Sequence, residues 1–131
     1  MAVVPRLVTV VLEVSDLERS VALYRDAFGL DLHIDDHRGA DHGDGDQWIS
    51  GRHAATSWTD GAFLHFALYE AKVEPTARAQ VAFRVDDIAT AHEVAVAAGA
   101  EVLHAPRREP WGTSARYRDP DGNVVELTQP T

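Results

Sequence analysis

The 131-residue chain contains no cysteine. That excludes disulfides, a thiolate nucleophile and cysteine-ligated zinc. Long apolar runs are also missing: none approaches the roughly 18 residues that a membrane-crossing helix needs. The opening stretch, "MAVVPRLVTVV", has no basic segment and no cleavage site, so no signal peptide is expected. Basic residues are few, 12 Lys and Arg against 21 Asp and Glu, for a formal net charge of −9. Phosphate binding needs a basic face, so nucleic acid is not an expected partner, and neither is a membrane. A cytoplasmic protein is the expectation. The acidity weakly favours a neutral or cationic ligand, though it serves solubility equally. What remains is an ordinary globular balance, 45% hydrophobic and 25% charged, in a length that suits one domain. Abundant Ala, Arg, Asp and Val point to a GC-rich bacterial genome.

The chain repeats itself. "VTVVLEVSDLERSVALY" (8–24) and "AQVAFRVDDIATAHEVA" (79–95) are each an alternating strand, a short polar step and a helical pattern. An offset of 71 matches Val10 with Val81, Leu12 with Phe83, Val14 with Val85, Asp16 with Asp87 and Leu17 with Ile88. Two copies indicate a duplicated half-chain module rather than a solenoid. The first module, about 6–70, begins with a strand at 6–14. A Ser15/Glu18 capping box then opens a helix carrying Leu17, Val21, Tyr24 and Phe28, and Gly29 ends it. Strands are predicted at 30–37, about 46–52 and 62–70. A linker, 71–78, leads to the second module, about 79–129. There a strand at 79–85 precedes a helix at 87–98 capped by Asp86. Strands are predicted at about 101–105, 113–118 and 123–128. Asp119-Pro120-Asp121-Gly122 has the residues of a type I turn. Each module is thus strand–helix–strand–strand–strand.

Strand alternation divides the residues between two faces. Val8, Val10, Leu12 and Val14 should pack on the first helix, leaving Leu7, Thr9, Val11 and Glu13 opposite. Leu64, Phe66 and Leu68 oppose Phe63, His65, Ala67 and Tyr69. Val81, Phe83 and Val85 oppose Gln80, Ala82 and Arg84, and Val125 and Leu127 oppose Val124, Glu126 and Thr128. Glu126, a carboxylate in an apolar run, therefore belongs to the face away from the helix. Tyr117 is assigned to the same cavity side, with Arg116 and Arg118 pointing outward.

The segments "VSDLERSVALYRDAFGL" (14–30), "VAFRVDDI" (81–88) and "DPDGNVVEL" (119–127), in this order, resemble the vicinal oxygen chelate superfamily, also called the glyoxalase/bleomycin-resistance/dioxygenase fold. The resemblance spans essentially the whole chain. It implies an α+β fold of two βαβββ modules in tandem, with curved mixed sheets around a cleft and helices on the outside. It also implies a homodimer, with modules pairing within one chain or between chains. Metal-using members take ligands from the first and last strand of each module. Carried onto this sequence, those positions are Thr9, His65, Gln80 and Glu126. His65 and Glu126 suit a borderline divalent metal, Gln80 is a weaker donor, and Thr9 is a poor one.

Two functional readings follow from the resemblance. In the preferred one the protein holds no cofactor and binds a small molecule, of aromatic or cationic antibiotic type, in the cleft. The cleft residues would be Thr9, Phe63, His65, Gln80, Tyr117 and Glu126, with Trp48 and Trp111 as stacking platforms. In the alternative, a divalent metal (nickel, zinc, manganese or iron) held by His65, Gln80 and Glu126 serves a lyase, isomerase or dioxygenase acting on vicinal oxygens. Glu126 would then also act as the base. The Gly- and Asp-rich stretch "HIDDHRGADHGDGD" (33–46) lacks the glutamate of a calcium loop in register and reads as a solvated hairpin beside the cleft. His53, His92 and His104 share no spacing that would unite them.

Overall fold

The computed structural model describes residues 5–35 and 52–131. Strand β1 (Thr9–Val14) leads into helix α1 (Leu17–Asp26), then β2 (Ile34–Asp35), β3 (His53–Trp58) and β4 (Leu64–Glu70). The second half repeats the path: β5 (Gln80–Arg84), α2 (Ile88–Ala97), β6 (Glu101–Glu109), β7 (Gly112–Arg118) and β8 (Val124–Pro130). Each half builds a four-stranded mixed sheet, ordered β1-β4-β3-β2 and β5-β8-β7-β6. In each, the first and last strands pair in parallel and the others antiparallel. The expected two-module α+β architecture is the one observed.

The repeat extends to the helix caps. Asp16 caps α1 at φ −133°, ψ 98°, and Asp87 caps α2 at φ −136°, ψ 95°. Each accepts from the amide three residues on, Arg19 in one case and Thr90 in the other. These are positions matched by the 71-residue offset. They correct the caps expected from local motifs, Ser15 and Asp86, by one residue each. Ser15 is engaged elsewhere, and the short carboxylate directly before each helix satisfies its first free amides. Two strands also differ. β3 runs through "HAATSW", where small residues hide the alternation, whereas 46–51 of the strand expected at about 46–52 lies outside the described residues. β6 continues to Glu109 through register irregularities at Val102/His104 and His104/Arg107.

Both modules share one core. Leu12, Val14, Leu17, Tyr24, Phe66 and Leu68 of the first cluster with Ala115, Tyr117, Val125 and Leu127 of the second. Phe66 meets Phe83 edge to face at 5.6 Å, and Phe28 at the end of α1 lies 5.4 Å from Tyr117. Burying each such side chain contributes about 1.5–3 kcal/mol. The helix-side faces of the two sheets are thus committed to this core. Gly112 enters β7 at φ 147°, where a Cβ would lie 2.3 Å from the Gln129 carbonyl oxygen, so only glycine fits.

Candidate functional site

The open face of the first sheet is arranged in three rows that follow its pairing register. Thr9, His65 and Ser57 form one row, Val11, Ala67 and Ala55 the next, and Glu13, Tyr69, His53 and Asp35 the third. His65 Nδ1 and Ser57 Oγ lie 2.9 Å apart, and the His53 and Tyr69 rings stack at 4.7 Å and 10°. A shallow apolar strip therefore runs between two polar rows. Over it lies a cavity of about 630 Å³ lined by Thr9, Val11, Glu13, His65, Ala67, Tyr69, Glu70, Lys72 and Thr76. That size suits a small-molecule ligand. Its rim is the segment expected to be only a linker: Thr76 donates its amide to the Glu13 carbonyl at 2.7 Å and accepts from the Glu13 amide at 2.8 Å.

On the second sheet, Glu126 is 8% exposed and sits directly across from Arg116, whose Nε donates to Oε2 at 2.8 Å. A guanidinium on the neighbouring strand thus explains the acid in an apolar strand, since a nearly buried carboxylate needs a charged or hydrogen-bonding partner. This corrects two expectations. Arg116 shares the open face with Glu126, and Tyr117 does not line the cavity. Tyr117 is 0% exposed on the helix side, with Phe28 against its ring and its hydroxyl 2.6 Å from His92 Nδ1. Burial raises its pKa above the usual phenol value.

The "DPDGN" segment joins the modules. The Asp119 carboxylate, buried, accepts from the Tyr24 hydroxyl at 2.8 Å, from the Asp121 and Asn123 amides at 2.9 Å and from Asn123 Nδ2 at 3.0 Å. Asn123 also donates to the Thr76 carbonyl and accepts from the Ala79 amide, holding both sides of the linker. Asp121 accepts from the amide and hydroxyl of Ser15 at the start of α1. The turn bond from Gly122 to the Asp119 carbonyl, 3.1 Å, matches the predicted turn. Burial first, then the Asp119 charge, push the Tyr24 pKa far above the usual phenol range. Tyr24 therefore stays a neutral donor.

Residues 6–127 match the Glyoxalase/Bleomycin resistance protein/Dioxygenase superfamily. The chain belongs to this superfamily. Among solved structures it resembles TnmS3, an antibiotic binding protein from Streptomyces sp. CB03234, with 26% identity, a TM-score of 0.74 and all of both chains covered. It also resembles a glyoxalase/bleomycin resistance protein from the same organism, with 27% identity and a TM-score of 0.69, covering 95% of this chain and 100% of that one. The uncharacterized protein YetH of Bacillus subtilis (strain 168) is 27% identical over 128 residues, spanning 92% of this chain and 95% of that protein.

The ligand positions that the superfamily resemblance implied divide two and two. Thr9 and His65 are register partners over the first cavity. Gln80 and Glu126 are on the second sheet, where Gln80 is paired with Val124 and Glu126 with Ala82. The register also corrects the alignment of the last strands. The His65 amide donates to Val8 and the Val124 amide to Ala79, both at 2.8 Å, and Val8 and Ala79 are equivalent in the repeat. The counterpart of His65 is therefore Val124, and that of Glu126 is Ala67, which has no donor atom. Glu126 is held by a guanidinium, and of the other three implied donors only His65, on the other sheet, is a strong one. No cluster of three or more His, Cys, Asp or Glu forms among the described residues.

Of the aromatic candidates, Phe63 precedes β4 and is half exposed, outside the lining of the 630 Å³ cavity. Trp111 sits in the β6–β7 turn and is 55% exposed. Trp48 and most of the 33–46 stretch lie outside the described residues. Glu13 and Tyr69 were visible by alternation as open-face residues, but nothing in the sequence marked them as cavity walls until the linker closed over them.

Proposed function

We propose that the protein is a metal-independent binding protein for a planar small molecule of aromatic or cationic antibiotic type. The observation that carries this reading is the row arrangement on the first sheet. A flat ring system placed on Val11, Ala67 and Ala55 has hydrogen-bonding rows along both edges, and Tyr69, Glu13 and His65 lie within the same cavity. Glu13 favours a positive charge beside it, set against Lys72 on the same wall. The likeness to an antibiotic binding protein supports the same reading.

The working unit is a homodimer in which the open face of one chain is closed by its partner. The helix-side faces of both sheets supply the shared core, while Leu7, Val8, Val11 and Trp111 stay exposed, Val8 against its expected place on the first helix. The absence of a long apolar helix among the described residues accords with a cytoplasmic location, which is part of the proposal.

The test is a thermal melt of chelator-treated protein with planar aromatic antibiotics and, separately, with nickel, zinc, manganese and iron(II). Binding to the native state at one hundred times the Kd adds about 2.7 kcal/mol of stability. The expected result is stabilisation by a planar antibiotic without metal, abolished in Ala67→Leu, whose side chain fills the strip. Stabilisation by a metal alone, lost in both Glu126→Gln and His65→Ala, would overturn the reading in favour of a metal-dependent enzyme.

A further inference from the structure

A larger cavity lies on the other face of the first sheet. It measures about 940 Å³ and is lined by both modules. Its lining shares no residue with the 630 Å³ cavity, because alternation sends Val10 and Phe66 to one side of the sheet and Thr9 and His65 to the other. Phe28, Leu30 and Phe66, all buried, form its floor. Trp58 of the first module and Val81 and Phe83 of the second form its walls. Trp58 packs on Phe83 at 6.1 Å and 34°, and Phe83 meets Phe66 edge to face. The topology explains the opening. β1 and β5 are outer strands, whereas α1 packs on β4, and α2 on β6, β7 and β8. The helix-side residues of the two outer strands, Val10, Val81, Phe83 and Val85, therefore rest on the core along one side and stay partly exposed on the other.

The mouth of this cavity is charged. Asp60, between β3 and β4, and Asp86, between β5 and α2, line it together with Arg84, and all three are exposed. None of them takes part in an ion pair among the described residues, so two free carboxylates stand against one guanidinium. Gln80, expected in the cleft, lines this cavity and adds an amide. An apolar pocket walled by an indole and phenyl rings, under an excess of negative charge, is complementary to an aromatic body bearing a protonated amine. We infer that this cavity is a second ligand site, for an aromatic amine whose ring system lies beside Trp58 and Phe83 and whose ammonium faces the Asp60 and Asp86 carboxylates. The site is separate from the one on the open face and does not depend on it. A molecule held there touches side chains of both modules, so its binding also stabilises their packing.

Trp58 is its own reporter. Replacing the other two tryptophans, Trp48→Phe and Trp111→Phe, leaves it alone in the full chain. Biphenyl-4-methylamine, biphenyl-4-methanol and biphenyl-4-carboxylate share one ring system and differ in charge, and each is titrated at low and at high salt. The amine is expected to shift Trp58 emission saturably to shorter wavelength. It should bind about threefold more tightly than the alcohol, as a partly screened charge pair allows, and the carboxylate more weakly than either. That preference should shrink with salt and vanish when Asp60→Asn and Asp86→Asn are combined. Val81→Phe, which narrows the cavity, should weaken all three probes. Ala67→Leu and Glu13→Gln, on the open face, should leave the Trp58 response intact. Circular dichroism and sedimentation accompany each variant. Emission unmoved by every probe overturns the second site, whatever planar antibiotics do at the open face. Equal affinity for amine and alcohol overturns the ligand class, and affinities untouched by Val81→Phe overturn the location. A response abolished by Ala67→Leu or Glu13→Gln places the probe on the open face, and the inference falls. It falls too if emission changes with protein concentration alone, in step with sedimentation, because a second copy then covers the cavity.

Discussion

The two modules follow the same chain path and use the same cap geometry, yet their open faces have diverged. The first carries a strip of Val and Ala between polar rows, with Glu13 and Asp35 at one edge. The second carries arginines, hydroxyls and one internal ion pair. Duplication conserved what builds a sheet on a helix and left free what faces outward. The turns before the last strands differ in the same way. Asp119 lies buried in a network of four hydrogen bonds, whereas its counterpart Asp60 is exposed. One turn is a structural lock, the other only a connection.

The largest expected effect breaks that asymmetry directly. Asp119→Ala strands the Tyr24 hydroxyl and three further donors, so chemical denaturation should report a loss of about 3–5 kcal/mol. Asp60→Ala should stay within about 0.5 kcal/mol. Comparable losses for both would mean the turns are equivalent. Next, Glu126→Ala leaves Arg116 without its partner. The cost should be about 1–2 kcal/mol, below that of a fully buried pair because Arg116 is partly hydrated. His65→Ala, which removes one hydrogen bond on an open face, should cost about 0.5–1 kcal/mol. Tyr117→Phe should cost about 1 kcal/mol through the lost hydrogen bond to His92. It should leave ligand affinity unchanged, and a changed affinity would return Tyr117 to the site.

The smallest effect concerns the caps. Thr90, through its amide and then its hydroxyl, holds the Asp87 carboxyl below its usual pKa. A lowered native pKa means the charged form is favoured by folding. That contribution is fully present above the ordinary carboxylate value of about 4 and is lost as pH falls through the lower native value. Urea midpoints measured from about pH 5 to pH 2 should therefore converge for the wild type and Asp87→Ala at the acid end. A gap that stays constant with pH would show that the cap acts without its charge.

Most of the fold was legible because alternation and a repeat are strong signals. The 71-residue match even contained the true caps, Asp16 and Asp87, which local capping motifs obscured. Tyr117 illustrates what alternation leaves open: it sorts residues into two faces without saying which one is buried. The missing information lay in the turn. A tight turn between Arg118 and Val124 fixes Arg116 opposite Glu126. Once Glu126 is on the open face, Arg116 must be there and Tyr117 must be inside. β3 was illegible for another reason, since "HAATSW" has too little contrast between its faces. The site itself was half legible. Thr9 and His65 were marked by the superfamily resemblance as first- and last-strand positions of one module, but the closing of 71–76 over Glu13 depends on Asn123, 47 residues from Thr76.

That closing has a consequence for assembly. β1 is the outer strand of its sheet, and an uncovered outer strand is a template for indefinite strand addition. Thr76 occupies both main-chain groups of Glu13. By alternation, the outward amides and carbonyls of Thr9 and Val11 are the template left along β1. So short a stretch can guide one neighbour into place but gives no purchase for a growing ribbon. The linker between the modules thus also shortens the stretch of this edge that is open to strand addition.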